Sequence, residues 1–180
     1  MTPDHSLATS RLILRMINGD ESDTFTQLIQ RSPSLYPWLD WCHAAFSIDE
    51  ANDFLMHTRL NWVKNTAYGF GIYTQKQNRL VGMVALTDVS MSFNMGTIGY
   101  WIADQYQHCG YGKEATQALI QFCFSTLQLT RLECICDPLN HASHQLALSC
   151  GGLQEALARN RYLFDGKPKD GLVFSFIPSE

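Results

Sequence analysis

Two glycines one residue apart, in Gln107-His108-Cys109-Gly110-Tyr111-Gly112-Lys113-Glu114-Ala115, open a helical pattern shortly after a strand pattern. Glycine lets a backbone approach a ligand closely, and the unpaired amides of a first helical turn, at the positive end of its dipole, favour a phosphate. The turn therefore predicts a site for a nucleotide or a nucleotide-bearing cofactor. The strand is Thr97-Ile98-Gly99-Tyr100-Trp101-Ile102, and the helix is expected from Tyr111 to Leu127, with Ala115, Leu119 and Phe122 on its apolar face.

Gly110-x-Gly112-x-x-Ala115 also satisfies the dinucleotide fingerprint, with Glu133 at the spacing of a ribose ligand. Against that reading, the polar loop Ala103 to Cys109 separates strand from glycine turn, and too little chain follows for further βαβ units. A phosphate loop of the Walker type is excluded because Gly112-Lys113-Glu114 lacks the hydroxyl that would hold Mg²⁺.

A second segment, Asp137-Pro138-Leu139-Asn140-His141-Ala142-Ser143 through Gly151-Gly152, reads as a loop, a helix and a glycine stop. Together with Gly99-Tyr100-Trp101-Ile102 and the turn Gln107-x-x-Gly110-x-Gly112, it resembles the GNAT superfamily of acetyl-CoA-dependent N-acetyltransferases. The opening Ser10-Arg11-Leu12-Ile13-Leu14-Arg15 and the stretch Trp38-Leu39-Asp40-Trp41 resemble its branch of ribosomal-protein N-terminal acetyltransferases. The resemblance implies an α+β fold with a mixed, mostly antiparallel sheet of about seven strands and helices on both faces, one domain over 1–180. It implies acetyl-CoA as cosubstrate, with the pyrophosphate on Gln107, His108, Cys109, Gly110, Tyr111, Gly112 and Lys113. The pantetheine would run along the backbone of Tyr100, Trp101 and Ile102, with Asn140 as a further contact or as the cap of its helix.

Acetyl transfer to an amine passes through a tetrahedral oxyanion, so the site needs a donor for that oxygen, an acid for the leaving thiolate and a neutral nucleophile. Backbone amides serve the first need because they are already oriented. By resemblance, Ser143 is placed to protonate the thiolate; its other reading is a serine capping its own helix. A Ser143-His144 hydrolase pair is not expected, since neighbours on a helix point apart and no Gly-x-Ser-x-Gly elbow exists. Many relatives carry a glutamate where this chain has Thr97, which leaves Asp88 and Asp40 as candidate bases acting through water. A weak base suits a protein N-terminus, whose α-amine has a pKa of about 7.7 to 8, better than a lysine near about 10.4. The acceptor is thus expected to be a protein N-terminus, with a small amine such as an aminoglycoside or polyamine as the alternative and a non-catalytic acyl-CoA sensor as a third reading.

These groups need elements to hold them. Strands are expected at Arg11 to Met16, Gly69 to Thr74, Arg79 to Asp88, 97 to 102 and Arg131 to Asp137, with two more around Asp165-Gly166-Lys167-Pro168. Helices are expected at Ser22 to Gln30, from Ser47 (a capping box with Glu50) to Lys64, and from Asn140 to Cys150. Trp38, Trp41, Phe46 and Trp62 fall in or near the two early helices and either line an acceptor cleft or fill the core beneath it.

Composition sets the outer bounds. The chain has 180 residues, 46% of them hydrophobic, enough for one sizeable core. Its net charge of −4, without a lysine or arginine run, argues against sequence-independent nucleic-acid binding while leaving a basic protein tail welcome. With no membrane-length apolar run and no signal-peptide character at the start, the expected address is the cytoplasm, with a homodimer left open. Of six cysteines, Cys134 and Cys136 share a strand face roughly 6.6 Å apart and are expected as reduced core residues. Cys-x-Cys lacks the usual zinc-knuckle spacing, so no metal is expected.

Overall fold

The computed structural model describes residues 2–178. Eight strands, β1 (Leu7–Ala8), β2 (Leu12–Arg15), β3 (Tyr68–Thr74), β4 (Leu80–Ser90), β5 (Met95–Ile102), β6 (Arg131–Cys136), β7 (Leu153–Phe164) and β8 (Lys167–Phe176), form one sheet in the order β1-β2-β3-β4-β5-β6-β8-β7. Every neighbouring pair is antiparallel except β5 and β6. The strand beyond the expected seven is β1, whose two residues are too short to show a period of their own. The helices are α1 (Ser22–Gln30), α2 (Ile48–Lys64), α3 (Tyr111–Ser125) and α4 (His141–Ser149).

Each boundary has a local cause. The Ser47 hydroxyl accepts from the Glu50 amide at 3.2 Å while the Glu50 carboxylate accepts from the Ser47 amide at 2.8 Å, the reciprocal box that starts α2. Asn65, in the left-handed region at φ 55°, stops it. β3 is buried along nearly its whole length, as expected of a strand covered on both faces.

Two cores result, one on each face of the sheet. The first gathers Leu12, Leu14, Phe70, Val84, Ile98 and Leu132 of the sheet with Leu119 and Phe122 of α3 and Ala147 of α4. The second gathers Phe25, Ile29, Phe46, Ala51 and Leu55 of the α1 and α2 region with Tyr73, Met83 and Trp101 of the sheet. Trp62 lies at the far end of α2 and belongs to the first core, where its indole donates to the Gly69 carbonyl at 2.9 Å.

A parallel pair needs a long crossover, here α3. The pairing itself is brief. Met95, Gly96 and Thr97 face Arg131, Leu132 and Glu133, and both strands then run on without partnering each other. This divergence opens a wedge in the middle of the sheet.

Candidate active site

The wall that β5 turns to the wedge follows from its pairing with β4. The Ala103 amide donates to Val81 at 2.9 Å, which continues the register that pairs Trp101 with Met83 and Tyr100 with Val84. In an antiparallel pair the hydrogen-bonding groups of successive residues point alternately to opposite edges. Ala103 and Trp101 therefore direct their amides to β4, while Tyr100 and Ile102 direct theirs into the wedge. The Ile102 carbonyl, on the same edge, accepts from the Gln107 side chain at 3.0 Å, which leaves its amide to a ligand. This corrects the expectation for Trp101: its amide belongs to the sheet and its indole is buried in the second core. Tyr100 and Ile102 remain as the two exposed rungs.

The wedge opens into a cleft of about 1000 Å³ whose walls include Tyr100, Ile102, Gln107, His108, Gly110, Tyr111, Gly112, Lys113, Asn140 and Ser143. Gly110 caps α3 at φ 78°, a left-handed conformation suited to glycine. No side chain caps this helix end, so the amides of Tyr111, Gly112 and Lys113 have no intrahelical partner, whereas the Glu114 amide already donates to Gly110. A side chain at Gly112 would meet Leu146 of α4 at 3.2 Å, so glycine there lets the two helices close up behind the turn. The Gln107 side chain braces the loop, donating also to Ser34 at 3.0 Å. Cys109 is outside the cleft wall, and its carbonyl accepts from Arg11 at 2.9 Å.

On α4 the cap is Asn140, whose side chain accepts from the Ser143 amide at 3.0 Å. Ser143 is therefore not needed as its own cap. Its hydroxyl donates to the Tyr100 phenol at 3.1 Å, and that phenol donates to the Ser143 carbonyl at 2.9 Å and accepts from the Cys134 thiol at 3.4 Å. A strut from β5, β6 and α4 thus crosses one wall of the wedge. Burial pushes the ionisation of Tyr100 far above its usual range and that of Cys134 up to about 12, so both stay protonated. His144 instead packs its ring 5.2 Å from Phe174. Tyr100 is expected from sequence in a backbone role only; the alternation of β5, which puts its side chain on the α4 face, is the signal for its hydroxyl.

The opposite mouth of the cleft is assembled from scattered residues. Gly99 is exposed, and a Cβ added to it would meet nothing within 4 Å, so this face of β5 is open to an incoming group. Trp38 and Leu39 form part of the wall, whereas Trp41 and Phe46 pack with Phe25 and Trp101 in the second core. Asp88 lines the cleft: it sits at an irregularity between Thr87 and Ser90 with φ 49°, and bulges of this kind re-aim side chains. Asp40 is exposed and outside the cleft wall, a correction to its expected place.

Among the wall residues that no sequence motif points to are Arg161 and Tyr162. Tyr162 donates to Asp137 at 3.0 Å, and beside it stands Arg161; an irregularity in β7 after Ala158 turns both toward the cleft. Burial first, and the hydrogen bond to Asp137 second, raise the Tyr162 phenol to about 12. The Tyr162–Asp137 contact follows the irregularity in β7, and a strand pattern does not announce a bulge. Glu133, the ribose ligand of a dinucleotide reading, is instead gripped by Arg131 at 2.9 Å and Arg161 at 3.5 Å. Among the described residues no group of three or more His, Cys, Asp or Glu is placed to hold a metal ion, and no helix is long and apolar enough to cross a membrane.

Comparison with known proteins agrees with this geometry. The family model of the acetyltransferase (GNAT) domain matches residues 11–152. The chain is 53% identical to a Vibrio cholerae protein of known structure, provisionally described as a ribosomal-protein-serine acetyltransferase, with a TM-score of 0.92 over 99% of this chain and 100% of that one. It is 27% identical to the [ribosomal protein uS5]-alanine N-acetyltransferase of Escherichia coli (strain K12), over 95% of this chain and 90% of that protein. A ribosomal L7/L12 alpha-N-protein acetyltransferase solved with coenzyme A shares the fold at 20% identity, with a TM-score of 0.87 over 96% of this chain and 98% of that one. A wedge beside an uncapped helix start and a family model spanning most of the chain lead to one assignment: this protein is an acetyltransferase of the GNAT family.

Proposed function

We propose that the protein transfers the acetyl group of acetyl-CoA to the N-terminal α-amine of a ribosomal protein. The observation that carries the donor half is the wedge: two backbone rungs, Tyr100 and Ile102, lead to the uncapped amides of α3. That is a strand-like slot ending on an anion site, the shape required by a pantetheine arm followed by a pyrophosphate. The acceptor half is supported by relatives described as ribosomal-protein acetyltransferases, and by a carboxylate, Asp88, in the wall of the acceptor mouth.

In this reading His108, Gly110, Tyr111, Gly112 and Lys113 hold the pyrophosphate, and Asn140 adds a side-chain contact to the arm. The acceptor amine enters over Gly99, where the sheet surface is bare. An amide of β5 stabilises the oxyanion that develops on the thioester carbonyl, without reorganisation. As the C–N bond forms and the C–S bond breaks, Ser143 gives its hydroxyl proton to the thiolate and regains one from solvent water in the open cleft. The Tyr100 hydroxyl keeps its proton and goes on donating to the Ser143 carbonyl, so rotation of the Ser143 hydroxyl alone redirects the donor. Asp88, through water, takes the proton released by the amine.

The test is competition at pH 7.5 between a Ser-initiated peptide and the same peptide acetylated at its α-amine but carrying a free lysine. Bringing a lysine to the neutral fraction of an α-amine costs about 3.5 kcal/mol, at about 1.36 kcal/mol per pKa unit. CoA release should therefore follow the free N-terminus. Faster release from the lysine peptide would overturn the N-terminal assignment, and turnover only with small amines would move it to a small-molecule acetyltransferase.

A further inference from the structure

The first turn of α3 contains a carboxylate, Glu114, at the place where an anion is to bind. An acidic residue in a first turn ordinarily settles near the free amides and helps the helix. Here it is drawn away. Glu114 Oε1 accepts from the Thr9 hydroxyl at 2.6 Å, the Ser10 hydroxyl at 3.1 Å and the Arg11 amide at 2.9 Å, and Oε2 accepts from Arg11 Nε at 2.6 Å. All four donors come from the short segment between β1 and β2, more than a hundred positions earlier in the chain.

Arg11 reaches further into the turn. Its Nη1 donates to the Cys109 carbonyl at 2.9 Å, and its guanidinium stands 5.0 Å from the centre of the Tyr111 ring. Its Nη2 would lie 3.3 Å from a Cβ on Gly110. One cation thus contacts or borders Cys109, Gly110, Tyr111 and Glu114.

We propose that Arg11 is a positioning residue for acetyl-CoA: it neutralises Glu114 and holds it off the first-turn amides of α3, so that the turn presents those amides to the pyrophosphate. This rests on the reading of the glycine turn as the cofactor's phosphate site. Remove Arg11, and an uncompensated carboxylate stands beside the phosphate with its amides as an alternative partner. Two like charges a few ångströms apart at a protein surface repel strongly enough to shift affinity by an order of magnitude. The Arg11 side chain is half exposed, so its loss should weigh little on folding.

The geometry makes a prediction that a merely structural ion pair does not. Calorimetric Kd for CoA should rise tenfold or more in R11M and return to within threefold of the wild type in R11M/E114Q, although the double variant has lost more contacts than the single one. R11K, which keeps the charge beside Glu114, should bind within threefold of the wild type. In turnover the R11M defect should appear in the KM for acetyl-CoA, with kcat at saturation falling less than threefold. If R11M binds CoA like the wild type, or if E114Q fails to rescue it, the proposal is overturned. A tenfold loss in R11K overturns it as well, and does so even if R11M does not fold. Failure of the wild-type protein to bind CoA would instead strike the reading of the turn itself, so the two failures are distinguishable.

Discussion

The two sides of the wedge are built on different principles. The donor side is mostly backbone: the rungs of Tyr100 and Ile102, and the helix-start amides of Tyr111, Gly112 and Lys113. The acceptor side is mostly side chains, brought by a loop, a bulge and a distant hairpin: Trp38, Asp88, Arg161 and Tyr162. Backbone groups are placed by secondary structure and tolerate changes of side chain, so a site made of them can serve one fixed cosubstrate. Side chains on loops and bulges can be exchanged singly, which suits a surface that must be matched to one acceptor amine among many.

The comparison is broken most forcefully at Gly110. At φ 78° a β-branched residue is a steric outlier, and its Cβ would lie 3.3 Å from the Arg11 guanidinium. Gly110→Val should raise the calorimetric Kd for CoA by about a hundredfold or more, because several amides lose their aim together. Binding unchanged from the wild type would place the cosubstrate elsewhere. A smaller effect is expected at Ser143, a donor-side residue whose side chain is assigned a proton transfer. Its helix is capped by Asn140, so Ser143→Ala should leave Tm and CoA affinity nearly alone while lowering kcat by about ten- to a thousandfold, the range of one acid catalyst. An unchanged kcat would reduce Ser143 to a partner in the strut with Tyr100.

The same contrast explains what could be read from the sequence. The glycine turn, the capping box of Ser47 and Glu50 and the period of α3 are local signals, and each element appeared within a few residues of its expected place. The Trp101 amide departs from expectation because only alternate amides of a strand share an edge; which alternate set is free depends on the β4 register. Asp40 and Asp88 were indistinguishable as carboxylates near turns. The irregularity after Thr87 separates them, sending one into the cleft, and its cause lies in pairing across the sheet rather than in neighbouring residues. Tyr162 and Asp137, 25 positions apart, meet because β7 folds back along β8 with a bulge, a tertiary fact with no local signature. The clasp of Glu114 by the segment 9–11 is of the same kind.

The smallest effect, and the one that sharpens the comparison most, is expected at Asp88. Its proposed task is to take a proton through water from an amine that is already partly neutral. At pH 7 an α-amine of pKa about 7.8 is neutral in roughly one molecule in seven, so assistance with its deprotonation is worth at most about sevenfold there and almost nothing by pH 9. Asp88→Asn should therefore lower kcat/KM for a Ser-initiated peptide by about three- to sevenfold at pH 7, and the gap to the wild type should close as the pH is raised to 9. The Kd for CoA should stay within twofold, because Asp88 stands at the acceptor mouth, away from the α3 amides. A loss of a hundredfold or more that persists at pH 9 would mean that Asp88 binds the acceptor directly instead of relaying a proton. No loss at any pH would leave deprotonation to solvent, and the acceptor side would then contribute shape and charge but no chemistry of its own.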